Sequence, residues 1–217
     1  MIVDLHLKGN LVIVIGAGNE GVKKVKSLLT QDCKILVISN NTNSQISKLV
    51  KEKKIKFKKL KLINPNFLTK YKPYLVMATT DDRELNHKIV SKAKKMNCYA
   101  YASDDPEISD FAHPSVINIE DTVQIAISTG GRSPAMARKI KIKSEKFFQS
   151  LITKEDLAEI KLQKFARDTA RRKLHTQIER KKFLYTILND KRIKELLKDG
   201  KYITAKTMVK KMLGEWK

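Results

Sequence analysis

Cysteine is nearly missing from this chain: there are two, Cys33 and Cys98, among 217 residues. They stand far apart and at no ligand spacing. That argues against a Cys-rich zinc or iron–sulfur site and fits free thiols in a reducing cytosol. Histidine is sparse too, and no two of His6, His87, His113 and His175 are spaced as metal ligands, so no metal site is expected. Aromatic residues make up 6% with a single Trp, too few interleaved rings for a single-strand nucleic-acid platform. No apolar run approaches the roughly 18 residues of a membrane helix. The opening MIVDLHLKGN lacks the basic stretch and small-residue cleavage site of a signal peptide. These absences lead to the expectation of a cytoplasmic protein that does not enter a membrane. Acidic residues are short as well, 23 against 45 Lys and Arg, for a net charge of +22.

The basic excess is uneven. Residues 138–217 carry 24 Lys and Arg against 10 Asp and Glu, and residues 1–137 carry 21 against 13. A positive field of this size gathers polyanions. A nucleic acid is one such partner, a small molecule bearing many carboxylates is another, and solubility alone accounts for part of the charge.

The strongest local pattern is at the start. LVIVI, residues 11–15, is apolar and β-branched like a buried parallel strand, KILVIS at 34–39 is a second, and Val22, Val25, Leu28 and Leu29 keep helical spacing between them. The first strand runs into Gly16-Ala17-Gly18-Asn19-Glu20-Gly21. In a strand–loop–helix setting this G-x-G-x-x-G has three separate tasks: Gly16 for the tight turn, Gly18 for close approach of a pyrophosphate, and Gly21 for helix-to-strand packing. Asn19 and Glu20 open the helix whose free amides face the anion. The acidic residue expected at the end of the second strand, where ribose hydroxyls sit, is replaced by Ser39, Asn40 and Asn41. Asn40 and Asn41 can still hydrogen-bond a ribose, and the lack of an arginine there tilts the reading toward NAD.

The alternation goes on. QISKLVKEKK reads as a helix, IKFKKLKL as an edge strand, Tyr74 to Ala78 as a buried strand and CYAYAS as another. Thr79, Thr80 and Asp81 follow the buried strand at its carboxyl end, where open α/β sheets bind ligands. They are expected to face the cofactor, with Thr80 or Asp81 capping the next helix. After residue 111 the pattern changes. Two short strands flank Glu120-Asp121, a Gly130-Gly131 turn leads to Ser133 and Pro134 at a helix start, and from Thr153 the chain is helical. The expected architecture is α/β: a Rossmann-type parallel-sheet domain over 1–111, a small α+β dimerisation segment over 112–149, and a basic helical domain over 150–217.

Four segments in order carry a resemblance: the glycine loop at Gly16, MATTDDRELN at 77–86, SDDPEISDFAHPSV at 103–116 and AISTGGRSPAMARKIK at 126–141. Together they resemble the precorrin-2 dehydrogenase/sirohydrochlorin ferrochelatase family, the N-terminal module of siroheme synthase. The resemblance covers nearly the whole chain and implies NAD-dependent oxidation of precorrin-2 to sirohydrochlorin. Some members also insert Fe²⁺ to give siroheme. It implies a homodimer built through the central segment, and a substrate with eight carboxylates, suited to the basic charge. Asp104, two positions before Pro106, matches the family's general base, with the adjacent Asp105 as the competing assignment. Neighbouring carboxylates can raise each other's proton affinity, which suits a base working near neutral pH, and the other reading is that either one caps the turn before Pro106. Ser128, Gly130, Gly131, Arg132 and Arg138 match the segment that meets the substrate. His113 stands where the family usually has an apolar residue. It is expected to be a hydrogen-bonded histidine at a bend, with contact to iron or substrate as the other reading. The competing reading from a different class is an NAD-sensing module whose helical domain, with ARRKLHTQIERKK at 170–182, binds nucleic acid.

Overall fold

The computed structural model describes residues 2–216, in two compact units divided between Pro114 and Ser115. The first unit is built on five strands, β1 Leu11–Ile15, β2 Lys34–Ser39, β3 Lys56–Lys59, β4 Leu75–Ala78 and β5 Tyr99–Ala102. All pair in parallel, in the order β3-β2-β1-β4-β5. The β-branched run of β1 suits its central place: Val12 to Ile15 are fully buried, so both faces of the strand are covered. Helices α1 Asn19–Leu28 and α2 Ser44–Lys51 cover one face, where Val22, Val25, Leu28 and Ile46 pack on Val12, Val14 and Val37. Helix α3 Arg83–Lys95 and a short 3-10 helix, Pro65–Lys70, cover the other, where Leu85, Ile89, Ala93 and Leu68 pack on Ile13, Ile15 and Val76. Edge strand β3, KFKK, exposes its lysines, which keeps its open hydrogen-bonding side from pairing with other chains. The strand order reverses direction between β1 and β4, and that is the point at which such sheets open a crevice beyond their carboxyl ends.

The second unit starts with an antiparallel hairpin, β6 Ser115–Ile119 and β7 Val123–Ile127. Glu120, Asp121 and Thr122 connect the strands, with the Thr122 amide donating to the Ile119 carbonyl at 3.0 Å. Glu120 and Asp121 take φ of 46° and 49°, a left-handed pair that matches strand twist. Four more helices follow α4 Pro134–Leu151: α5 Lys154–Ala170, α6 Gln177–Asn189, α7 Lys191–Lys198 and α8 Tyr202–Gly214. Thr153 with Asp156, and Thr176 with Glu179, form reciprocal capping boxes at the starts of α5 and α6. α7 ends on Gly200 at φ 72°. Phe183, Leu162, Ile187 and Val209 form the helical core, with Trp216 edge-on to Phe183 at 5.1 Å. Leu157 of α5 packs with Ile117 and Ile119 of the hairpin, and α4 runs through residue 149, so the hairpin segment and the helices share one unit. No helix among the described residues is long and apolar enough to cross a membrane.

Candidate active site

The glycine loop packs too tightly for side chains at two of its three positions. Gly16 has φ 108°, and a Cβ there would lie 2.6 Å from the carbonyl oxygen of Thr79. A Cβ on Gly21 would collide with the carbonyl oxygen of Gly16. Gly18 differs: no atom lies within 4 Å of the place its Cβ would take. It is the N-cap of α1, and no side chain caps that helix. The first amides of α1 therefore face open space across a residue with no side chain, a cradle that fits the pyrophosphate of a nicotinamide dinucleotide.

Thr79 serves this loop from below. It is buried, and its hydroxyl donates to the carbonyl of Ile15 at 2.9 Å. The expectation that Thr79 faces the cofactor is corrected: its side chain is spent on the β1–loop backbone. Asn19 and Glu20 are exposed at the start of α1, and Glu20 pairs with Lys23 at 2.6 Å. Asn40 and Asn41 are exposed beyond the end of β2. The residue that ties this edge to the glycine loop is Asn43, which the sequence reading passed over. Its amide donates to the carbonyl of Ala17 at 2.8 Å while its oxygen accepts from the Ile46 amide to cap α2.

Beyond β4 and β5 the structure gathers Thr80, Asn86 and Asp104. Asn86, on the first turn of α3, is completely buried. Its amide nitrogen donates to the Thr80 carbonyl and to Asp104 Oδ1, both at 2.9 Å, and its oxygen accepts from the Thr80 hydroxyl at 2.7 Å and the Thr80 amide at 3.2 Å. The cap of α3 is neither Thr80, whose hydroxyl is taken by Asn86, nor Asp81. Asp82 holds that place, accepting from the Leu85 amide at 2.9 Å.

The two neighbouring aspartates part ways. Asp104 is exposed. Asp105 is buried, receives Arg83 Nη2 on Oδ2 at 3.2 Å and the Glu107 amide on Oδ1 at 3.1 Å. His87 Nε2 stands 2.9 Å from Oδ2, at an angle outside hydrogen-bond geometry. Burial alone raises the proton affinity of Asp105, but Arg83, the Glu107 amide and His87 outweigh it and hold its carboxyl below the usual carboxylate range. The expected mutual raising of proton affinity therefore does not govern Asp105, which is held by α3.

A ring cluster stands beside these groups. Tyr101 stacks on Phe111 at 5.5 Å, and His113 meets Tyr101 edge-on at 4.8 Å. Lys24 Nζ lies 4.3 Å from the Tyr101 ring centroid. Burial pushes the Lys24 ammonium down to about 8, and burial with the nearby Lys24 charge pushes the His113 imidazole down to about 4. His113 is thus packed against the Tyr101 and Phe111 rings, in place of the hydrogen-bonded bend that was expected, and its burial and the Lys24 charge favour the neutral imidazole. Burial, then the charges of Glu20 and Asp104, push the Tyr101 phenol up.

Ser128, Gly130, Gly131, Arg132 and Arg138 lie on the second unit. Gly130 and Gly131 take φ of 62° and 80°. Ser128 Oγ accepts from the Gly130 amide at 3.1 Å, and Thr129 Oγ1 accepts from the Ser133 amide at 3.0 Å. Ser133 caps α4 through the Met136 amide at 3.2 Å. Arg132 and Arg138 are exposed, and neither forms an ion pair among the described residues. The described residues contain no group of three or more His, Cys, Asp or Glu that could hold a metal ion.

Comparison with known proteins follows the same division. Residues 3–115 match the family model described as putative NAD(P)-binding, and residues 121–142 match the one described as sirohaem biosynthesis protein central. The siroheme synthase of Neisseria meningitidis serogroup C (strain 053442) is 28% identical over 210 residues, covering 97% of this chain and 42% of that protein. The siroheme synthase of Baumannia cicadellinicola subsp. Homalodisca coagulata is 26% identical over 208 residues, covering 96% of this chain and 43% of that protein. The chain thus spans less than half the length of these curated relatives. Among solved structures, SirC, precorrin-2 dehydrogenase, shares the fold with a TM-score of 0.67 at 19% identity, over 97% of this chain and 99% of that one.

Proposed function

Because the chain belongs to the putative NAD(P)-binding family and carries the sirohaem central segment, we propose that it oxidises precorrin-2 to sirohydrochlorin with NAD⁺. The single observation that carries this reading is the convergence at the sheet end. An uncapped helix start behind a side-chain-free Gly18 and an exposed aspartate held from α3 both follow the carboxyl ends of parallel strands, β1 and β5, of one sheet. NAD⁺, when bound, supplies the hydride acceptor. The substrate loses a hydride and a proton, and the products are sirohydrochlorin, NADH and H⁺. Asp104 takes the proton through its free carboxylate oxygen, while Asp105, tied to Arg83, stays structural. The glycine loop and the first amides of α1 hold the pyrophosphate, and Asn40 and Asn41 take the ribose hydroxyls. No arginine stands at that place to receive a 2′-phosphate, which favours NAD over NADP.

The substrate's carboxylates fall to exposed, unpaired cations, Arg132 and Arg138, with Ser128 and the Gly130-Gly131 backbone beside them. The protein acts as a homodimer: α4 exposes Met136, Ile140, Phe147 and Leu151, whose spacing of four, seven and four puts them on one face. The free thiols Cys33 and Cys98 suit a cytoplasmic location. Insertion of Fe²⁺ as a second reaction would draw on the same base, since two pyrrole protons must leave. The competing nucleic-acid reading is not supported by the relatives compared above.

Incubation with precorrin-2 and NAD⁺, with and without Fe²⁺, followed by absorption spectra, tests the proposal. Formation of sirohydrochlorin is expected from the wild type. Asp104→Ala should slow it by roughly 10² to 10⁴, the usual worth of a general base, and Asp105→Ala should slow it much less. If the two variants reverse, the base is Asp105.

A further inference from the structure

Asn86 offers a second handle on the chemistry. It is a polar side chain with no exposure to water, and each of its amide atoms is committed. The Thr80 amide needs an acceptor and the Thr80 carbonyl needs a donor, and Asn86 satisfies both at 3.2 and 2.9 Å. Those two contacts leave one orientation of the amide, because the flipped form would set donor against donor and carbonyl against carbonyl. With the orientation fixed, the remaining N–H is aimed at Asp104 Oδ1 at 2.9 Å. Asp104 Oδ2 has no hydrogen-bond partner among the described residues, and the side chain is exposed.

The arrangement is directional. The backbone of Thr80, at the carboxyl end of β4, sets the amide of Asn86, and that amide sets the rotamer of a carboxylate two residues beyond β5. A short, exposed Asp on a loop otherwise samples several rotamers, and a base must stand within hydrogen-bond reach of the proton it removes.

We infer that Asn86 is the positioning residue of this site, holding one oxygen of Asp104 so that the other is presented to the substrate. This rests on the proposal that Asp104 is the base. Asn86 touches neither cofactor nor substrate in this account and acts only through the carboxylate.

The test is a double-mutant cycle on the full chain, with precorrin-2 turnover and NAD⁺ affinity measured for each variant. Asn86→Leu keeps most of the volume without adding a charge but removes the donor and the acceptor. Asn86→Ser removes the reach altogether and covers the case in which the first variant does not fold. Each should lower kcat by about 10- to 100-fold, the range known for groups that orient a metal ligand, with NAD⁺ affinity and the KM for precorrin-2 little changed. In an Asp104→Ala background either change should cost almost nothing more, because the group through which Asn86 acts is gone. If the losses multiply in the double variants, or if NAD⁺ binding falls together with kcat in both single variants, the positioning role is overturned. A wild-type rate in Asp104→Ala alone sinks the underlying base assignment, a result that does not depend on any Asn86 variant.

Discussion

The chain contains two glycine turns that each follow a strand and lead into a helix, and they are built in opposite ways. The Gly16–Gly21 loop is crowded: Cβ atoms at Gly16 and Gly21 would strike backbone, and the helix it opens, α1, has no side-chain cap. The Gly130-Gly131 turn is roomy. A Cβ on Gly131 would meet nothing within 4 Å and one on Gly130 only the tip of Arg132 at 3.3 Å, yet both residues have positive φ. The helix that this turn opens, α4, is already capped by Ser133. The first turn therefore leaves its helix without a side-chain cap and spends Gly16 and Gly21 on packing. The second spends its glycines on backbone conformation, and the arginine that follows it is exposed.

The largest effect should come from removing the packing that makes the first turn. Gly16→Ala adds a methyl against the Thr79 carbonyl at a φ of 108°. Overpacking and backbone strain together should cost more than about 3 kcal/mol, a large share of a domain's stability. Urea unfolding of the wild type and the variant measures it, and an unchanged midpoint would mean that the loop is not packed as described.

Next in size is the change that makes the first turn resemble the second. Gly18 has an ordinary φ of −73° and free space around it, so Gly18→Asp should fold. Aspartate at an N-cap supports the helix, and the thermal midpoint should stay level or rise slightly. NAD⁺ affinity should nevertheless fall at least about 100-fold, or roughly 2.7 kcal/mol, because a carboxylate then occupies the pyrophosphate's place. Titration of NAD⁺ binding checks this, and normal affinity would remove the loop from the cofactor site.

The contrast between these turns shows where sequence suffices. Parallel strands, the glycine spacing, the Glu120-Asp121 turn and the caps at Ser133 and Thr153 were all legible, because each depends on residues near one another in the chain. Thr79 was not: nothing local says that its hydroxyl turns back onto β1, which only becomes its neighbour through the β1–β4 pairing. Asn86 closes the MATTDDRELN segment that carries part of the resemblance, but nothing local gives it a role until the strand order brings the ends of β4 and β5 beside α3. Only the resemblance separates Asp104 from Asp105 in the sequence, since the Arg83 and His87 that claim Asp105 come from α3.

A smaller effect is expected from the arginines of the second turn. Arg132→Ala combined with Arg138→Ala removes two exposed cations that have no carboxylate partner among the described residues. The KM for precorrin-2 should rise by about tenfold, close to the 1.5–3 kcal/mol of one hydrogen bond to a charged group, while NAD⁺ affinity stays the same. Steady-state kinetics at fixed NAD⁺ separates the two, and a KM that does not move would place the substrate's carboxylates elsewhere.

The smallest effect is the reverse of the Gly18 experiment: uncapping the helix that is already capped. Ser133→Ala removes the oxygen that accepts from the Met136 amide at 3.2 Å, but leaves the Ser133 backbone held to Thr129 at 3.0 and 3.1 Å. Loss of an N-cap of this kind costs about 1 kcal/mol, which lowers the melting temperature by about 2–4 °C in a protein of this size. NAD⁺ affinity should not change, since the cofactor cradle proposed above is on α1. The KM for precorrin-2 decides what the cap is for. If arginine side chains carry the polyanion, freeing the first amides of α4 leaves KM where it was. A KM that falls when the cap is removed would show that a substrate carboxylate can use those amides, and that the two turns differ less in purpose than in occupancy.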